Sequence, residues 1–214
     1  MTIFLQQTWK ENRGFIIFIM LMFVFRSAIA DWNHVPTGSM KPTILEGDQV
    51  LVNKMAYDIR FPFSHYSLVK LADPKRGDII VFDSKVSNKR PIKRVVGVPG
   101  DTIAMKNNVL YINGERLSYF DSSSIVSDRI EDLLGVQHLV RTRMKGGQLS
   151  NFWPVIVPDD QYMALGDNRD NSADSRVIGF IPRDEIVGRS RKAVLSLNYD
   201  NYFLPRTTRF FHTL

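Results

Sequence analysis

The sequence predicts a mainly β protein, in which an antiparallel sheet folds back on itself behind one N-terminal transmembrane helix. After Trp32, short segments rich in β-branched residues alternate with turns about every ten residues. A single long apolar run, Phe15 to Phe25, precedes them. The 214 residues are enough to bury the core of one domain that carries an insertion.

The apolar run predicts a membrane anchor at residues 14–31, after a short N-terminal segment at residues 1–13. Gly14 to Ala30 is just long enough to span a bilayer of about 30 Å. Arg26 can snorkel to the head groups, and Trp32 lies where an interfacial aromatic residue is expected. Because Lys10 and Arg13 precede the run, the positive-inside rule predicts a cytoplasmic N-terminus and an exported remainder.

Two other interpretations of this run stay open. One is a cleavable signal peptide, with the small residues of "AIA" at Ala28 to Ala30 as the cleavage site. The other is a buried core helix of a soluble protein. The anchor and the signal peptide both predict that the rest of the chain is exported.

The β domain is predicted at residues 32–114 and 153–198. The Asn113-Gly114 pair is typical of a tight hairpin. The predicted strands are Gln49 to Asn53, Asp78 to Phe82, Ile92 to Val98, Thr102 to Met105, Val109 to Ile112, Trp153 to Val157, Gln161 to Leu165 and Glu185 to Leu197.

Residues 115–152 are more polar and predict a small inserted subdomain. They contain "DSSS" at Asp121 to Ser124 and the basic run "RTRMKGG". Asp128, with Glu131 three residues later, resembles a capping box and predicts a short helix that stops at Gly135.

The charge and the cysteine content restrict the possible chemistry. With no cysteine, the chain has no disulfide, zinc-thiolate site or thiol nucleophile. The net charge of +6 suits an anionic partner. No nucleic-acid-binding motif accompanies the basic clusters, so nucleic acid is not expected, and most of these clusters are expected to be solvated faces. The basic and aromatic tail at residues 199–214, Tyr199 to Phe211 in particular, is a candidate for contact with anionic lipid.

Ser39, in "VPTGSMKPT", is a candidate nucleophile if a base can take its proton. The histidines are His34, His65, His138 and His212, and a Ser-His pair with His34 stays open. Lys93 is the more plausible base because it lies on an apolar strand, "PIKRVVGVPGD". Burial can lower the pKa of lysine by roughly 3 to 5 units from about 10.4. The strand alone favours a surface or edge-strand lysine over a catalytic base.

The segment "GDNRDNSADSR", Gly166 to Arg176, is dense in polar groups. A calcium loop is rejected, because Ile178 stands where the bidentate glutamate belongs. The remaining alternatives are a solvated loop of Asx turns and a scaffold around the lysine.

Four blocks together resemble the bacterial type I signal peptidases. They are "GSMKPT" with Ser39, "RGDIIVF" from Arg76, "KRVVGVPGD" from Lys93 and "GDNRDNSADSR" from Gly166. They follow the order of that family, behind an N-terminal apolar segment. The resemblance implies a membrane-bound serine endopeptidase with a Ser/Lys dyad and a largely β catalytic domain.

The resemblance also implies a role for each matching residue. These are Ser39 as nucleophile, Lys93 as general base, Thr37 and the Ser39 amide as oxyanion donors, Ser172 as orienter of the lysine amine, Asp174 and Arg176 as the ion pair that supports the dyad, and Val35, Met40 and Ile92 as apolar residues of the substrate site. Asn33 departs from the aromatic residue common in larger members.

The implied substrates are preproteins with signal peptides, cleaved at the outer face of the bacterial cytoplasmic membrane. The resemblance implies no metal or organic cofactor, and we expect a monomer in contact with membrane lipid and near the secretion machinery. Three alternatives remain: a specialised peptidase that matures a pilin or conjugation protein, a repressor-type autoprotease, and an inactive anchored β module that binds exported chains. The repressor type should be soluble, which the apolar run disfavours. Self-cleavage at Ala30 is a further alternative.

Overall fold

The structure is a computed structural model that describes residues 2–64, 66–121, 128–143 and 145–214, with side chains from residue 12 onward. His65, most of the "DSSS" run and the methionine of "RTRMKGG" lie outside the described residues. The chain begins with helix α1 (Thr2–Ala28), and a second, short helix is α2 (Ser175–Ile178). Among the described residues, no helical segment has both the length and the hydropathy of a membrane span.

The rest of the described chain is mainly antiparallel β structure, as predicted. The strands are β1 (Ala30–His34), β2 (Asp48–Asn53), β3 (Asp58–Arg60), β4 (Ser67–Lys70), β5 (Ile79–Phe82), β6 (Ile92–Gly97), β7 (Thr102–Lys106), β8 (Val109–Ile112), β9 (Glu115–Arg116), β10 (Ser118–Asp121), β11 (Asp128–Leu133), β12 (Val136–Arg141), β13 (Phe152–Ile156), β14 (Gln161–Leu165), β15 (Ile181–Pro182), β16 (Ile186–Asn198), β17 (Leu204–Pro205) and β18 (His212–Thr213). Single 3₁₀ turns lie at Lys54–Ala56, Arg169–Asn171, Arg183–Glu185 and Thr207–Arg209.

The largest sheet has nine strands, seven of them in the order β1-β2-β16-β5-β6-β14-β15, while β17 and β18 pair with β16. Strands β13-β7-β8-β9 form a second sheet, β10-β11-β12 a third, and β3 and β4 a separate hairpin. Each strand predicted from sequence is present within one residue of its predicted ends. The Asn113-Gly114 hairpin is confirmed, because both residues have positive φ, 53° and 85°, and they join β8 to β9.

The helix predicted from Asp128 is wrong, since β11 and β12 form a hairpin there. Leu134 and Gly135 are its two turn residues, with φ of 52° and 96°, so Gly135 turns a hairpin and does not stop a helix. The acids that resembled a capping box bind arginines instead: Arg141 holds Asp128, and Arg169 holds Glu131. The two carboxylates thus accept hydrogen bonds from arginine side chains, where a capping box would have them accept from backbone amides of a helix.

Strand β6 lies where three clusters of buried apolar side chains meet. Ile92, Val95 and Val96 each belong to a different cluster. All six residues of β6 are buried, because β5 and β14 pair with its two edges and side chains cover both faces. The core therefore surrounds the strand that carries Lys93.

Candidate active site

Ser39 and Lys93 are in direct contact. The Nζ atom of Lys93 donates a hydrogen bond to the Oγ atom of Ser39 over 2.7 Å. Lys93 is only 4% exposed, so the surface and edge-strand interpretations of this lysine are wrong. Ser39 lies in a turn closed by a hydrogen bond of 3.1 Å from the Lys41 amide to the Gly38 carbonyl. This turn presents the hydroxyl to the buried amine.

Burial shifts the ionisation of Lys93. Desolvation lowers its pKa from the ordinary value of 10.5 to about 8, although the carboxylates of Asp174 and Asp167 act in the opposite direction. Arg176 adds a smaller lowering effect. Because the amine has lost most of its water without gaining a direct carboxylate partner among the described residues, its neutral form is accessible near neutral pH.

Asp174 and Arg176 form the buried ion pair predicted for the loop beside the dyad. The Nε and Nη2 atoms of Arg176 donate to the two carboxylate oxygens of Asp174 over 2.8 and 2.7 Å. Burial alone would raise the pKa of Asp174, but the Arg176 guanidinium holds it below its ordinary value. Arg176 also donates to the carbonyls of Arg169 and Leu149 over 2.6 and 2.8 Å, so one side chain ties three segments together.

Ser172 is buried in the same region, where its hydroxyl lies close to the Asp174 carboxylate but makes no well-formed hydrogen bond with a described residue. The structure therefore does not bring it into the predicted hydrogen bond with the Lys93 amine. Ser172 lies against Gly166, where an added Cβ would meet the Ser172 Oγ at 2.2 Å and the Ser39 carbonyl oxygen at 2.4 Å. Only a glycine at 166 leaves room for both the Ser172 hydroxyl and the Ser39 carbonyl.

A cavity of about 860 Å³ opens beside the dyad. Val35, Met40 and Ile92 line it and are buried, as the pocket prediction requires. Thr37 lines the same cavity and is exposed. The Ser39 amide donates to no described residue, so its N–H group is free to bind a substrate oxygen. Asn33 also borders the cavity.

None of the described histidines hydrogen-bonds the Ser39 hydroxyl, although His34 lines the same cavity. The Nδ1 atom of His34 lies 2.9 Å from the Gln49 amide nitrogen, and its Nε2 atom is hydrogen-bonded to the Tyr199 hydroxyl. His138 lies 3.3 Å from a carboxylate oxygen of Glu131. His212 is part of β18 at the edge of the sheet. Lys93 is thus the base candidate that reaches Ser39 among the described residues.

Sequence reasoning missed Asn168, which holds the turn around Ser39. Its side-chain amide donates to the Gly38 carbonyl over 2.9 Å, and its backbone N–H donates to the Ser39 carbonyl over 3.1 Å. Asn168 stands in the "GDNRDNSADSR" block, but nothing in its local sequence signals contact with a turn so far away in the chain.

A family comparison matches residues 9–195 to the model described as "Signal peptidase, peptidase S26". The chain belongs to this family. A signal peptidase I of Pseudomonas aeruginosa is 36% identical over 199 residues, and the match covers 85% of this chain and 70% of the Pseudomonas protein. A probable signal peptidase I-2 of Synechocystis is 31% identical, covering 86% of this chain and 72% of its own. This member is therefore a signal peptidase and a serine endopeptidase.

A solved signal peptidase I from Enterococcus faecalis is 29% identical, covering 56% of this chain and 98% of its own. Its TM-score is 0.38, too low to support an argument about the overall fold.

Proposed function

We propose that this signal peptidase removes signal peptides from exported preproteins, with Ser39 as the nucleophile and Lys93 as the general base. The observation that carries the proposal is the 2.7 Å hydrogen bond between the Lys93 amine and the Ser39 hydroxyl at a buried site. A serine hydroxyl needs a base that is neutral at the working pH, and a lysine whose pKa lies at about 8 can meet that need.

The proton moves between these two groups during the reaction. As the Ser39 Oγ attacks the scissile carbonyl, neutral Lys93 accepts the hydroxyl proton and becomes an ammonium ion. Lys93 then gives this proton to the leaving amine when the peptide bond breaks, which leaves an acyl-enzyme and a neutral base. Water, deprotonated by Lys93, hydrolyses the ester and restores both groups.

The Ser39 amide and the Thr37 hydroxyl stabilise the oxyanion in this mechanism. The Ser39 N–H is free of described partners, and Thr37 lines the same cavity. One such donor contributes about 10² to 10³ in rate. Val35 and Ile92 shape the pocket for small side chains before the cut, and Met40, 1% exposed, keeps water from the dyad. Orientation of the lysine amine by Ser172 remains a prediction.

The proposal includes membrane attachment through the N-terminal helix, with the catalytic domain on the outer face of the cytoplasmic membrane. Exposed apolar side chains from Phe15 to Phe25 on α1 support it. After this run, Arg26 donates to Asp31 over 2.7 Å and stacks 4.2 Å from the centre of the Trp32 ring. Arginine and tryptophan are typical of the membrane interface.

Further exposed aromatic residues support contact with lipid. On the β3–β4 hairpin they are Phe61, Phe63 and Tyr66, and in the tail they are Tyr202, Phe203, Phe210 and Phe211. The Phe63 amide donates to the Ser27 hydroxyl at the end of α1 over 2.6 Å, so the hairpin adjoins the helix. We expect a monomer that acts near the secretion machinery.

The test is cleavage of a preprotein in detergent by the wild-type chain, Ser39→Ala and Lys93→Ala. Both variants should lose cleavage while remaining folded by circular dichroism. Wild-type rates in both variants would refute the dyad, and binding of the preprotein without any cleavage by the wild-type chain would favour an inactive binding module. A panel of signal peptides, including pilin-type substrates, distinguishes a general from a dedicated enzyme.

A further inference from the structure

Two buried ion pairs flank Asn168 in the chain. On one side, the Nε and Nη2 atoms of Arg94 each lie 2.9 Å from an oxygen of Asp167. On the other side, Arg169 donates to both oxygens of Glu131 over 2.8 and 2.6 Å. These four side chains are at most 5% exposed. The backbone at 167–169 is therefore held from both sides by bidentate, charge-assisted hydrogen bonds.

Asn168, held in this way, binds the peptide group between Gly38 and Ser39. Its Nδ2 atom donates to the Gly38 carbonyl over 2.9 Å. The peptide unit is planar and trans, so the Gly38 C=O and the Ser39 N–H lie in one plane and point in opposite directions. A donor that holds the Gly38 oxygen consequently sets the direction of the Ser39 N–H, which is the proposed oxyanion donor.

Glu131 lies on β11, in the three-stranded sheet β10-β11-β12 within residues 115–152, which we call the inserted sheet. Arg169 lies in the loop beside Ser39 and Lys93. Both side chains are fully buried, and the Tyr119 hydroxyl also donates to Glu131. A buried ion pair is weak evidence for added stability, because desolvation of the two charges offsets most of their attraction. What the pair does supply is one defined geometry for the residue next to Asn168.

We propose that Asn168 is a positioning residue for the oxyanion-binding amide of Ser39, and that Glu131 of the inserted sheet holds Asn168 in place through Arg169. This inference rests on the proposed role of Ser39. It also gives the inserted sheet a part in catalysis, which the polar composition of residues 115–152 does not indicate.

The first experiment measures kcat and KM for a signal-peptide substrate with Asn168→Ala. The expected result is a kcat about tenfold lower, which corresponds to about 1.4 kcal/mol in the barrier. KM and the midpoint of the pH profile should stay as in the wild type, because an oxyanion donor acts in the transition state and Asn168 carries no charge. A kcat within twofold of the wild-type value would overturn the inference.

Asn108→Ala is the matched control. Asn108 is also a buried asparagine and donates to the same loop, at Asp170, over 2.8 Å. Its φ of 60° makes alanine strained there, so this control should lose at least as much thermal stability as Asn168→Ala, yet keep its kcat. A parallel fall of kcat in both variants would mean that loop stability alone matters, which would overturn the positioning role.

The second experiment tests Glu131 with the double variant Glu131→Gln/Arg169→Gln, which avoids an unpaired buried charge. Measured on folded protein, its kcat should also fall about tenfold with KM unchanged. Asp128→Asn, which weakens the neighbouring pair with Arg141 on the same hairpin, should keep the wild-type kcat. A wild-type kcat in the double variant would refute the role of Glu131.

Ser39→Ala in the same assay separates this inference from the proposed function. If Ser39→Ala cleaves at the wild-type rate, the nucleophile assignment fails. If Ser39→Ala is inactive and Asn168→Ala is fully active, only the positioning inference fails.

Discussion

The rate of cleavage should rise with pH through the pKa of Lys93. With that pKa at about 8, about a tenth of the enzyme holds a neutral lysine at pH 7, about half at pH 8 and about nine tenths at pH 9. Because only the neutral amine can accept the Ser39 proton, kcat/KM should increase about tenfold from pH 7 to pH 9.

The assay is the initial rate of cleavage of a fluorogenic peptide with alanine at the positions before the cut, at constant ionic strength. His34→Ala tests the histidine alternative. His34 lines the cavity, but its ring nitrogens are bonded to Gln49 and Tyr199, so the midpoint of the pH profile should match that of the wild type. A profile that is flat from pH 7 to pH 9, or that has a midpoint near 6.5 as for a histidine, would refute the lysine base.

Three further predictions concern stability and geometry. Lys93→Met should raise the free energy of unfolding at pH 7 by about 3 kcal/mol, since the wild-type lysine is buried with its pKa lowered from 10.5 to about 8. Between pH 8 and pH 10.5 the unfolded wild-type chain binds more protons than the native one, so the stability of the wild type rises with pH. Denaturation at pH 10.5 should therefore show that most of the stability difference between Lys93→Met and the wild type is gone. Arg176→Met leaves the buried Asp174 carboxylate unpaired and should cost about 3 to 5 kcal/mol in urea denaturation, and a loss under 1 kcal/mol would contradict the importance of the pair. Gly166→Ala places a Cβ 2.4 Å from the Ser39 carbonyl oxygen, so cleavage should fall at least about tenfold in the peptide assay, and unchanged cleavage would show that the loop yields freely.

The strands could be predicted from local sequence because each one has its own run of apolar or β-branched residues between turn residues. The runs around Ile80, Lys93 and Met163 are apolar and β-branched or bounded by glycine and proline turns, and all became central strands. The same kind of reasoning failed at Asp128, where a capping-box pattern coincided with a hairpin. The acids there bind arginines that are remote in sequence, and no local rule detects such partners.

The β class, the four ordered blocks and the candidates Ser39 and Lys93 could all be predicted from the sequence. Residue types and their spacing carry that information, because a serine nucleophile needs a base and a neutral lysine needs an apolar strand. Folding of the whole chain is what buries Lys93 against Ser39, leaves the Ser172 hydroxyl without a hydrogen bond to the amine, and places Asn168 against the turn that carries Ser39. Burial and hydrogen-bond geometry arise when distant strands pair, so they are properties of the folded chain and of no single segment.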